Sequence, residues 1–235
     1  MLIQDLISSP RLRGERKVWI QPTSSSSRKQ CCIFLDAEIY INAVGAVQIV
    51  DDLSRGGLIP PTTFAYLSFG EAEDRHFDFT CNPNFSMFLD KELRPWIEDR
   101  QGNHEKVFLC GLSLSGLAAA HAVLMGATGF DSAVCQSPSA WWNNEWLATN
   151  LQSAKDTRSK IWLSVGKLEV DENVTHPPSN LYQGSSQLDS SRRLAGHLKD
   201  MGQSICFVEL DGGHDAPTWA ADLPHALSWL LNNFV

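Results

Sequence analysis

Residues 107–125 read VFLCGLSLSGLAAAHAVLM, and this stretch restricts the fold more than any other. Val107-Phe108-Leu109-Cys110 is a short apolar run suited to a buried strand. Gly111 to Gly116 is a tight turn of small residues that holds two serines, and Leu117 to Met125 is built from strong helix formers. Strand, sharp turn with a serine at its apex, then helix is the layout that holds a hydroxyl out from the edge of a sheet. Such a turn is strained and its backbones crowd, so small residues are required two positions either side of the apex. Around Ser113 those neighbours are Gly111 and Ser115; around Ser115 they would be Ser113 and Leu117, and leucine is too large. Ser113 is therefore the expected apex, with Ser115 where a G-x-S-x-G turn has its second glycine.

The rest of the chain alternates strands with helices. Arg16 to Pro22 reads as an early strand near the sheet edge, followed by a polar turn, Thr23 to Arg28. Cys31 to Asp36 reads as a central buried strand, and Val44 to Leu53 has helical spacing ending at Gly56-Gly57. Thr63 to Phe69 reads as a third strand, Gly70 to His76 as a charged loop, and Asn84 to Asp99 as a helix with Phe85, Phe88, Leu89, Leu93 and Trp96 on one face. Strands are expected at 133–137, 161–165 and 204–210, with a polar loop over 169–186 and helices over 190–201 and 223–234. This order predicts a single domain over residues 1–235 with a mostly parallel sheet covered by helices on both faces.

Composition excludes several classes. A net charge of −8 argues against a general nucleic-acid footprint. No apolar run approaches a membrane span, and the first residues lack the pattern of a signal peptide. Six cysteines without a C-x-x-C pair suit a reduced, cytoplasmic protein, and no Cys/His spacing resembles a zinc site. No metal or cofactor is called for.

A serine at such a turn needs a general base, and the base needs an acid to orient it; with this strand–turn–helix layout they follow in the order serine, acid, histidine. Of seven histidines, His214 lies in Asp211-Gly212-Gly213-His214-Asp215, directly after the last expected strand. The acid should follow a strand between Ser113 and His214. Glu169, just past Ile161 to Val165, fits best, with Asp171 and Glu172 as rivals further along the loop. A developing oxyanion would meet the backbone N–H of Leu114 and a second N–H from Ala37 or Glu38, after the strand ending in Leu35-Asp36.

From about Arg16 onward the chain resembles the esterase D-like esterases, and within them the catalytic domain of enterochelin (catechol siderophore) esterases. Five segments carry the resemblance: Phe34-Leu35-Asp36; Arg75 through Cys81-Asn82 to Glu92-Leu93-Arg94-Pro95-Trp96; the turn GLSLSGLAAAHA; Gln136 to Trp142, QSPSAWW; and Asp211 to Asp215 with Trp219. The resemblance implies the α/β-hydrolase fold, Ser113 as nucleophile, His214 as base, Glu169 as acid, and substrate contacts from Arg75 and Asn82. The family usually has glycine after the aspartate where this chain has Ala37, which bears on the backbone of that turn.

The expectation is thus a serine esterase whose partner is a small-molecule ester, first a catechol siderophore trilactone, the ferric form included. Trp141 and Trp142 are read as aromatic faces for it and Arg75 as a positive contact. Two alternatives remain at this point: a feruloyl, acetyl or general aryl esterase on the same fold, and a binding protein that kept the fold without catalysis.

Overall fold

The computed structural model describes residues 2–21, 30–126, 129–151, 159–177 and 179–232. The expected polar turn Thr23 to Arg28 lies outside them. Eight strands form one sheet: β1 (Ile3–Ile7), β2 (Arg16–Gln21), β3 (Gln30–Leu35), β4 (Thr62–Leu67), β5 (Lys106–Leu112), β6 (Ser132–Gln136), β7 (Lys160–Gly166) and β10 (Ser204–Leu210). Their spatial order is β1-β2-β4-β3-β5-β6-β7-β10. β1 and β2 are antiparallel to their neighbours, and the other six strands run parallel.

The parallel strands are apolar on both faces because helices cover both. β3, β4 and β6 have every residue buried. On one face Ile33, Leu109 and Leu163 pack with Phe85, Phe88, Leu117 and Leu194. These come from α4 (Pro83–Phe88), α6 (Ser113–His121) and α8 (Gln187–Asp200). On the other face Phe34, Phe108 and Val134 pack with Val50, Leu223 and Leu227, supplied by α2 (Ala46–Arg55) and α9 (Ala216–Asn232).

From β3 the chain moves outward to β4, then crosses back so that β5 lies on the other side of β3. The order reverses there, which opens a crevice beyond the C-terminal ends of β3 and β5. Asp36 and Ser113 are the residues that immediately follow these two strands.

Some elements differ from expectation. β1 was not foreseen. The segment read as a charged loop is helix α3 (Ala72–Phe79), closed at its start by a capping box between Glu71 and Asp74. The expected helix over 84–99 runs from Pro83 to Gln101 as α4, a five-residue π-helical stretch (Leu89–Leu93) and α5 (Arg94–Gln101). The last helix begins at Ala216, with Pro224 inside it, rather than at Leu223. The expected loop over 169–186 contains a small hairpin, β8 (Val174–Thr175) with β9 (Tyr182–Gln183). No helix among the described residues is long and apolar enough to cross a membrane.

Candidate active site

The turn after β5 is shorter than the sequence suggested: the strand runs through Leu112 and α6 begins at Ser113 itself. Ser113 has φ of 53°, a left-handed conformation rare for a residue with a side chain. The strain is held by packing on both sides. A Cβ at Gly111 would collide with the carbonyl of Ser115. Ser115 is fully buried, donates through Oγ to the Leu112 carbonyl at 2.8 Å and accepts from the Leu112 N–H at 2.9 Å. Ser115 closes the turn, and Ser113 projects from it.

Three side chains meet at this edge. His214 Nε2 lies 3.1 Å from Ser113 Oγ, and His214 Nδ1 lies 2.6 Å from Glu169 Oε2. Glu169 is 6 % exposed. Its other oxygen, Oε1, accepts from the Gly166 N–H at 2.7 Å and from Ser137 Oγ at 2.6 Å. With its lone pairs so engaged, the carboxylate has one orientation. Ser137 Oγ in turn accepts from Trp219 Nε1 at 3.1 Å, and the Trp219 ring meets the His214 ring edge-on at 5.0 Å. Backbone bonds from Lys167 to Leu210 and from Leu168 to Gly212, both 2.9 Å, stitch the loop of the acid to the loop of the histidine. The rivals Asp171 and Glu172 are exposed on the loop beyond.

The candidate oxyanion donors sit at two helix starts. Leu114 is in the first turn of α6, and Ala37 and Glu38 are in the first turn of α1 (Ala37–Ile39), where no intrahelical carbonyl is available to their N–H groups. The left-handed residue before this turn is Asp36, with φ of 62°, while Ala37 is helical, so the side chain at 37 costs nothing there. Asp36 is fully buried and receives the Arg75 guanidinium through Nε at 2.8 Å and Nη2 at 2.7 Å. Arg75 therefore reaches the site from α3 with its fork turned to Asp36, while its neighbour Asp74 lies 3.5 Å from Arg16.

A cavity of about 280 Å³ adjoins Ser113, His214 and Leu114. Its walls include Arg75, His76, Ser139, Trp141, His176 and Gln183. Trp141 is buried, donates through Nε1 to Gln187 Oε1, and stacks on His176 at 5.0 Å with 6° between the rings. Burial, with the charges of Arg75 and His176 beside it, holds His76 below the ordinary histidine range.

Two expected contacts do not reach the cavity. Asn82 caps α4, its Oδ1 accepting from the Asn84 N–H at 2.9 Å, and it is absent from the lining. Trp142 is likewise absent and packs edge-on against Trp146 at 6.2 Å. Conversely, Ser137, His176 and Gln187 were not anticipated individually. Ser137 was the legible one, since it follows β6 directly at the same sheet edge. Among the described residues no His, Cys, Asp or Glu side chains converge as a metal site.

A parallel sheet with a strained serine turn after a central strand, and acid and histidine after later strands, defines the α/β-hydrolase fold. The chain belongs to the family described as "Putative esterase", which matches residues 9–230. It is 24% identical over 237 residues to the iron(III) enterobactin esterase of Escherichia coli O6:H1, covering 93% of this chain and 54% of that protein. It is 26% identical over 162 residues to the siderophore triacetylfusarinine C esterase of Aspergillus fumigatus, covering 64% of this chain and 50% of that one. The chain thus spans about half the length of the curated relatives it matches. The enterobactin esterase of Shigella flexneri, crystallised in the presence of enterobactin, superposes with a TM-score of 0.85 at 22% identity. That superposition covers 100% of this chain and 60% of that one, a likeness of fold.

Proposed function

We propose that this chain hydrolyses carboxylic esters through Ser113, His214 and Glu169. The observation that carries the reading is the continuous hydrogen-bonded line from Ser113 Oγ through both nitrogens of His214 to a buried, fully engaged carboxylate. Ser113 Oγ attacks the ester carbonyl while His214 Nε2 takes its proton and then passes it to the departing alcohol. Glu169 fixes the tautomer and steadies the imidazolium, and water repeats the sequence to release the acid. The N–H groups of Leu114 and of Ala37 or Glu38 receive the oxyanion.

The substrate proposed is an aryl-bearing ester, first a catechol siderophore trilactone or a fragment of one. The named relatives support this, as does the stacked Trp141–His176 pair in the cavity wall. Arg75 would act mainly through Asp36. A second reading, a smaller aryl carboxylester, is favoured by the size of the cavity: about 280 Å³ is near the lower bound for small-molecule sites.

The test is a hydrolysis panel of siderophore trilactones, feruloyl esters and short acyl aryl esters, run with wild type and three variants. Ser113→Ala should remove activity by several orders of magnitude and Glu169→Gln by less, with Ser137→Ala milder still. A folded Ser113→Ala that retains full activity would sink the esterase reading and leave a binding protein.

A further inference from the structure

Ser113 and His214 border two hollows. One is the cavity described above, which lies toward the β6 and β7 ends. The other is an open trough on the β4 and β3 side, bordered by Glu38, Ile39, Ala43, Phe69, Arg75 and Trp219. Its polar members are already engaged. Glu38 receives Ser68 Oγ through Oε1 and the Phe69 N–H through Oε2 at 3.4 Å, and Arg75 turns its fork to Asp36. What remains for a ligand is the half-buried faces of Ile39 and Phe69, the exposed methyl of Ala43 and the edge of Trp219. The cavity offers a mixed wall: an imidazole-capped indole, a second histidine, a serine and a glutamine beside Val174 and Leu181.

An ester bond held at Ser113 Oγ has two halves, and they must leave the reacting carbon in different directions. We infer that the trough is a subsite for an apolar, aliphatic half of the ester, while the polar aromatic half lies in the cavity beside Trp141 and His176. This rests on the esterase reading above and adds a specificity that the reading alone does not require. A cyclic polar ester would leave the trough largely unused. A mixed aryl–alkyl ester fills both sides, and each methylene laid along the trough removes apolar surface from water.

The experiment measures kcat/KM for 4-nitrophenyl esters of straight-chain acids from acetate to hexanoate. An open trough covers only part of each methylene, so the rise should be about two- to fourfold per carbon. Phe69→Ser and Ala43→Asp should lower the hexanoate-to-acetate ratio toward one, because each places a polar group where the chain would lie. Thermal melts check that both variants fold. Ala43 is exposed, so Ala43→Asp gives the ratio even if Phe69→Ser does not fold. A flat series in an enzyme that Ser113→Ala inactivates would overturn the subsite alone. An undiminished rise in folded Ala43→Asp would do the same. Turnover that survives in Ser113→Ala would sink the esterase reading and the subsite with it.

Discussion

Arg75 shows how a residue can matter to a site without gripping a ligand. Two of its nitrogens are committed to Asp36, which is wholly buried and sits one residue before the start of α1. Removing the guanidinium leaves a buried carboxylate unpaired, at a cost of about 3–5 kcal/mol. Arg75→Ala should therefore lower Tm by roughly 6–20 °C and reduce kcat more than it raises KM. Arg75→Lys, which keeps the charge but not the two-pronged geometry, should recover part of the Tm and little of the kcat. An unchanged Tm with a raised KM for aryl esters would return Arg75 to direct substrate contact. The residues readable from sequence were those whose position is set by one strand: Ser113, Glu169 and His214 each follow a recognisable apolar run. Asn82 and Trp142 looked equally suitable as residue types but are taken by local tasks, a helix cap and a tryptophan pair. His176 and Gln187 gave no such signal, because they reach the site only through contacts across long stretches of chain.

At the scale of elements, the strand–helix junction at 111–116 depends on backbone contact rather than on side-chain chemistry. A methyl group at Gly111 would strike the Ser115 carbonyl, and that carbonyl is backbone, so relief requires α6 to move. Gly111→Ala should displace Ser113 from His214, lower Tm and remove most activity. Ser115→Ala, which loses two buried hydrogen bonds and leaves the Leu112 N–H without its partner, should cost about 1–3 kcal/mol while the turn persists. Circular-dichroism melts beside ester turnover would separate the two, and full activity in Gly111→Ala would refute the crowding argument. The strands of the parallel sheet were legible because burial on both faces makes them continuous apolar runs. α3 was not, since five of its eight residues are charged or histidine and it has no apolar stripe. It holds together by its capping box and by Asp78, which pairs with the buried Arg16 at 2.9 Å. Glutamate is not among the usual residues at a helix start, and the ion pair joins positions 62 residues apart.

For the whole molecule, the acid limb of stability is tied to His121. This side chain is 5 % exposed, its Nδ1 lies 3.1 Å from Ser86 Oγ, and burial pushes its pKa down to about 4. Between about 6.5 and 4 the unfolded chain binds a proton that the folded chain refuses. The stabilisation is therefore complete above about pH 6.5 and is lost as pH falls toward 4, a change on the order of 3 kcal/mol. Tm measured from pH 7 to pH 4 should fall more steeply for wild type than for His121→Gln. Asp78 and Asp222, whose carboxyls burial raises, act in both proteins alike and cancel in the comparison. Parallel slopes would remove His121 from the acid limb. The stitching of the Glu169 and His214 loops carries one more consequence. The serine is set by a junction of neighbours in sequence, but its base arrives 101 residues later, on a loop after a border strand whose one partner among the described residues is β7. Closing so long a loop is slow, and a border strand held by one neighbour is among the first parts of a sheet to open. If β10 docks after β5, the hydroxyl stands in place before its base arrives, and in refolding from denaturant ester turnover should return later than the circular-dichroism signal of the sheet; simultaneous recovery would refute that order.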